Sequence, residues 1–173
     1  MNNVKSRLPW LLFLMLSATV TQMIMNSYEA ALAVMPQLAG FIPMLTGTGG
    51  NCGSQSSTLV IRGLAIGEIE FRDLLKVIWK EVRIAVCISI ILAVVNGARI
   101  VIMGQGDAMM ALTIGVTMAC TVIIAKVVGC TLPLVAKKVG LDPAIMATPL
   151  ISTLVDISTI SVYFAIVSFV FHL

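Results

Sequence analysis

Charge is scarce in this sequence. Its 173 residues include 11 Lys or Arg and 8 Asp or Glu, so only 11% are charged. A water-soluble domain usually carries about 25% charged residues. That shortfall leaves too little polar surface for a water-facing globule. Histidine is nearly absent, with the single His172 next to the C-terminus, so histidine-centred catalysis and histidine metal sites have little to build on. The four cysteines, Cys52, Cys87, Cys120 and Cys130, show no metal-type pair spacing and lie among apolar or small residues. They are expected to be small buried apolar side chains. Long basic runs are missing as well. The basic residues sit in short loops without a soluble platform, which excludes nucleic-acid binding.

What is present is apolar. Hydrophobic residues make up 59% of the chain, and mean hydropathy is +1.06. The expectation is an all-α membrane protein embedded in a lipid bilayer. Each span needs roughly 20 apolar residues, so five spans would use the whole chain. One transmembrane ion-permeation domain over 1–173 is expected, with no cytoplasmic regulatory domain in this chain.

The first predicted span opens near Pro9, between the interfacial anchors Arg7 and Trp10, and ends near Met25. It has no small-residue cleavage site closing a short apolar core, so it is expected to be a retained helix. The second runs from about Ala30 to Met44 and meets Thr46-Gly-Thr-Gly-Gly-Asn-Cys-Gly53. Four glycines in that stretch predict a weakened helix whose carbonyls turn toward a cavity, since irregular backbone at membrane depth needs such cover. Close helix packing through Gly49 and Gly53 is the competing explanation. The apolar pattern resumes from Leu59 to Ile66.

Residues 67–83 alternate Glu68, Glu70, Arg72, Asp73, Lys76, Lys80, Glu81 and Arg83 with apolar side chains. That pattern predicts an amphipathic interfacial helix between helices two and three. Span three then covers about Ile84 to Met103, and span four Met109 to Leu134. Span five starts at Asp142-Pro143, an N-cap followed by a first-turn proline. With five spans, Lys5, Arg7, the cluster from Arg62 to Arg83, and Lys137-Lys138 share one side. Arg99 lies opposite and Lys126 falls inside a span. The positive-inside rule then puts the N-terminus in the cytoplasm and the C-terminus outside an inner (plasma) membrane.

Asp156 lies roughly 21 Å along the fifth span at 1.5 Å per residue. A carboxylate at that depth is costly and is expected to face a water-filled cavity or a partner. Thr148, Ser152, Asp156, Thr159 and Tyr163 fall on one helical stripe. Two readings stay open: a cation site, or a pairing with Lys126. On helix two, Asn51, Gln55, Thr58 and Arg62 share a face. Amide, hydroxyl and carbonyl oxygens with one carboxylate suit Mg²⁺ or Ca²⁺ better than zinc or copper. Glu29 and Asp142, near the membrane faces, are candidate vestibule residues.

These residues resemble a known family. Pro43-Met-Leu-Thr-Gly-Thr-Gly-Gly-Asn-Cys-Gly-Ser-Gln-Ser-Ser-Thr58, followed by Arg62-Gly63, resembles the signature of MgtE-type magnesium channels. So does Pro133 through Asp156, with Gly140-Leu-Asp-Pro-Ala144 and Pro149-Leu-Ile-Ser-Thr-Leu-Val-Asp156. Leu8-Pro9-Trp10 and Tyr28-Glu29 also fit. The resemblance implies a homodimer of five-helix subunits. It implies a pore near the dimer axis, lined by helices two and five and carrying Mg²⁺ with its waters. The family's pore aspartate matches Asp156, its helix-two asparagine matches Asn51, and the positions one and two turns before the aspartate match Ser152 and Thr148. Thr148 and Thr159 depart from the residues often found there. Typical members also carry cytoplasmic domains ahead of the first helix, whereas this chain begins almost at the membrane.

Other functions remain to be weighed. An exporter coupled to Na⁺ or H⁺ would use Asp156 and Lys126 in exchange. A non-transporting assembly subunit would leave the polar faces of helices two and five without a role. An intramembrane enzyme is excluded: Gly50-Asn-Cys-Gly-Ser54 has no histidine in reach, and Asp156 has no second membrane aspartate.

Overall fold

The computed structural model describes the backbone of residues 2–173, and all their side chains except those of residues 2–7, 10 and 144–148. All secondary structure among the described residues is helical. The chain runs through α1 (Asn2–Ser27), the short α2 (Glu29–Val34), α3 (Gln37–Ala65), a 3-10 turn (Phe71–Asp73), α4 (Leu74–Ile102), α5 (Ala108–Lys138) and α6 (Pro143–Phe171). Among the described residues, three stretches are long and apolar enough to cross a membrane: Phe71–Ile102, Ala108–Lys138 and Pro149–Phe171. Leu11–Ser27 of α1 is a shorter apolar helix.

The predicted second span proves to be two helices. Pro36 has no N–H to continue α2 and pushes the preceding residue out of the helical region. Met35 accordingly sits at φ −129° and ψ 76°. Beyond it, α3 continues without a break through Gly47, Gly49, Gly50 and Gly53. The expected irregular backbone is therefore not found, and its carbonyls stay in the helical ladder. The glycines serve contact instead. A Cβ on Gly49 would fall 2.7 Å from a Val155 methyl and 2.8 Å from the Thr121 methyl. One on Gly53 would lie 2.7 Å from Ile151, and one on Gly129 would collide with the carbonyl of Gly53. Backbone-to-backbone approach of this kind is how helices associate where no hydrophobic drive separates them from lipid.

The separate interfacial helix is not found either. Gly67 takes φ +76°, and the amides of Glu68 and Ile69 turn back to the carbonyl of Gly63 at 2.9 and 3.2 Å. Glu70 and Asp73 form a capping box. From Leu74 the helix runs to Ile102, because the segment has no proline and no glycine before Gly97. The amphipathic residues are thus the opening turns of α4. Arg72 pairs with Glu70 at 3.0 Å and Lys76 with Asp73 at 3.2 Å, while Lys138 lies 4.1 Å over the Phe71 ring.

Helix α5 is the centre of the bundle and packs against α3, α4 and α6. Thr113, Thr117, Thr121, Gly129 and Ala125 give it a narrow profile on its buried side. α6 also packs on α3 and carries α1 on its outer side. Tyr163 donates to the Leu38 carbonyl at 2.9 Å, and Tyr28 stacks on Phe164 with ring centres 4.4 Å apart. The first contact holds α6 against the start of α3, and the second holds it against the junction of α1 and α2. Of the cysteines, Cys52 and Cys130 are buried as expected, but Cys87 is exposed on α4; all four are free thiols.

Candidate functional site

α3 and α6 cross at their glycine contacts and then separate on one side, leaving an open cleft of about 430 Å³. From α3 it is lined by Thr46, Gly50, Asn51 and Ser54, with Pro43 and Gly47 at its edge; from α6 it is lined by Ser152 and Asp156. Small residues make the space. A Cβ on Gly50 would already be 3.7 Å from the Ser152 hydroxyl. Among the described residues, no side chain hydrogen-bonds or ion-pairs with the Asp156 carboxylate. Its oxygens are thus open to whatever occupies the cleft.

A second open trough of about 630 Å³ continues from it along α3, lined by Asn51, Ser54, Gln55, Thr58 and Leu59. Asn51 and Ser54 belong to both. One polar path therefore follows the outer face of α3 for more than two turns. Asn51, Gln55 and Thr58 are exposed there.

Three of the four sequence-derived ligands, Asn51, Ser152 and Asp156, meet in the cleft. The Thr148 side chain lies outside the described residues. Glu29 opens α2 and Asp142 precedes α6; both are exposed, and neither lines the cleft. The predicted stripe on α6 divides. Ser152 and Asp156 face the cleft, while Tyr163 is pinned to α3 and Thr159 is buried beside Gly49. A step of three residues turns about 60° short of a full circle, which carries Thr159 round toward α3.

The pairing of Asp156 with Lys126 is overturned. Lys126 bonds to Glu81 at 3.1 Å and to the Ser56 hydroxyl at 3.1 Å, and Ser56 donates to the same Glu81 oxygen at 2.5 Å. Lys126 is 4% exposed, Glu81 5% and Ser56 0%. This closed network links α3, α4 and α5 on the side of α3 away from the trough. Charge alternation had assigned Glu81 to a surface face. The signal that pointed elsewhere was Lys126 itself, since a cation at that depth requires an anion.

The MgtE family, described as a divalent cation transporter, matches residues 42–166. That stretch holds α3 from its second turn through most of α6, with the whole cleft. The chain belongs to the MgtE family. It is 33% identical over 161 residues to the magnesium transporter MgtE of Thermus thermophilus, covering 93% of this chain and 35% of that protein. It is 35% identical over 166 residues to the magnesium transporter MgtE of Bacillus subtilis, covering 96% of this chain and 37% of that one. The Enterococcus faecalis magnesium transporter MgtE is 32% identical over 165 residues. The chain thus spans about a third of the length of these MgtE relatives.

Proposed function

We propose that this chain forms the membrane pathway of a divalent-cation transporter whose ion is Mg²⁺, and that the cleft beside Asp156 is half of the pathway. The observation that carries the reading is a carboxylate in an apolar helix that no described side chain pairs with, open to a cleft that continues as a polar trough. An exposed polar helix face has no place against hydrocarbon. A second copy related by a two-fold axis would cover it and oppose two Asp156 carboxylates across the axis. The family relationship and the similar magnesium transporters of three bacteria support the choice of ion.

Among the described residues, no three carboxylate, thiolate or imidazole groups converge. One carboxylate per subunit with Asn51 and Ser152 matches an ion that keeps its waters, as Mg²⁺ tends to do. Glu29 and Asp142 would gather cations at the two mouths. In this reading α1, α2 with α3, α4, α5 and α6 make five spans in a plasma membrane. The ends rich in basic residues lie in the cytoplasm, with the N-terminus, and the C-terminus lies outside. The chain is a single permeation domain. The exporter alternative drew on exchange between Asp156 and Lys126; with Lys126 held by Glu81, no observation favours it.

Flux into liposomes tests the proposal. Wild-type protein should admit Mg²⁺, and Asp156→Asn should reduce uptake at least about tenfold while eluting and melting like wild type. A tenfold loss corresponds to about 1.4 kcal/mol of ion stabilisation. Unchanged Mg²⁺ uptake by the variant would sink it.

A further inference from the structure

Arg99 lies at the end of the bundle where α3 begins and α4 ends. Its guanidinium is half-buried and held in place. Nε donates to Asn96 Oδ1 at 3.1 Å, one terminal nitrogen to Gln105 Oε1 at 3.0 Å, and the other reaches the Met44 sulfur at 3.4 Å. A second thioether, Met103, is 4.0 Å away. Every one of these acceptors is neutral, and two are weak sulfur acceptors. Among the described residues no carboxylate lies within ion-pair distance of Arg99. The buried cation Lys126, by contrast, has its anion.

This guanidinium faces a cavity of about 500 Å³, lined also by Gln37, Gly40, Phe41, Gln105 and Gly106. The cavity is built from three separate elements: the start of α3, the last turn of α4 and the loop into α5. The glycines leave room beside the cation, Gln37 offers amide N–H donors, and Phe41 gives one apolar wall. The nearest acidic residue in the chain, Asp107, accepts the Met110 amide at 2.8 Å with Oδ1 and does not line the cavity.

We propose that this cavity binds a phosphate oxyanion, with Arg99 as its anchor. Among the described residues, one terminal N–H of the guanidinium has no acceptor and two others rest on thioethers, weak acceptors that phosphate oxygens would displace. Charge-assisted bonds to phosphate are about twice as strong as neutral ones. Gln37 adds a neutral donor. The sources with this chemistry are a phospholipid headgroup and free phosphate. Under the proposed topology the cavity opens at the outer boundary of the bilayer, where headgroups lie. That clause rests on the functional reading above, while anion binding at Arg99 does not.

Binding is therefore read without ion flux. The full chain in neutral detergent is titrated with phosphatidylglycerol, with diacylglycerol, which has no phosphate, and with inorganic phosphate. Thermal melting and native mass spectrometry report occupancy. Phosphatidylglycerol is expected to bind and raise the melting midpoint, and diacylglycerol to do neither. Arg99→Gln should weaken binding about tenfold or more, as loss of a charge-assisted bond implies. Gln37→Leu, at an exposed position that leaves Arg99 and its supports intact, should weaken it less, and serves if Arg99→Gln does not fold. Arg83→Gln, an exposed basic position at the other end of α4, should bind like wild type. Binding of inorganic phosphate with the same variant pattern assigns the cavity to the free anion and also supports the site. Equal binding by wild type, Arg99→Gln and Gln37→Leu, or an equal loss in Arg83→Gln, overturns it.

Discussion

Three glycines decide how close the helices of this protein come. Gly129 of α5 lies against the carbonyl of Gly53, and Gly49 and Gly53 lie against Val155 and Ile151 of α6. A methyl group at Gly129 meets main chain, which has no rotamer to yield. Gly129→Ala should therefore push α5 off α3 and cost about 1–3 kcal/mol, the usual penalty for overpacking. Gly97 of α4 makes a fitting control, since a Cβ there meets nothing within 4 Å. Gly97→Ala should melt at or above the wild-type temperature in detergent. If both variants melt alike, the close approach of α3 and α5 is not what orders the bundle.

At the scale of elements, the Ser56–Glu81–Lys126 network is a buried polar link among three helices that otherwise pack through apolar and small residues. Removing one partner of a buried pair leaves a bare charge and typically costs about 3–5 kcal/mol. Glu81→Gln should accordingly lower the melting midpoint sharply. Replacing both charges, as in Glu81→Leu with Lys126→Met, should recover much of that loss, because the apolar pair strands no charge. A double variant as unstable as Glu81→Gln would mean that the network acts by some route other than charge compensation. The network also bears on the trough. Ser56 is on the buried side of the helix whose other side carries Asn51 and Gln55, so the clasp holds the rotation of α3 about its own axis.

At the scale of the whole molecule, lipid-facing and water-facing surfaces should be separable by chemistry. Ile91 is 63% exposed on an apolar face of α4, whereas Thr58 lines the polar trough. With exposed Cys87 replaced by serine, Thr58→Cys should react with a charged thiol reagent in membranes, and Ile91→Cys should not. Equal labelling at the two positions would contradict a hydrated trough. Mg²⁺ should slow the reaction at Thr58→Cys if the ion enters the same path.

The membrane class, the long apolar helices and the shared placement of Asn51, Ser152 and Asp156 were legible in the sequence. Scarce charge and runs of apolar residues act locally, through transfer of each segment between water and lipid, and need no knowledge of neighbours. The boundaries of α5 and α6 and the end of α4 were close to their expected places for the same reason, whereas α4 starts ten residues before the expected span. What failed were inferences that depended on what each helix touches. Glycine has two uses, an irregular backbone or a close contact, and only the approach of Gly129 to Gly53 decides for contact. Glu81 looked like a surface charge, and only the docking of α4 on α5 brings it to Lys126. That placement also took Lys126 away from Asp156. Local composition determined that a carboxylate lies in the membrane; the packing of three other helices decided that it faces an open cleft.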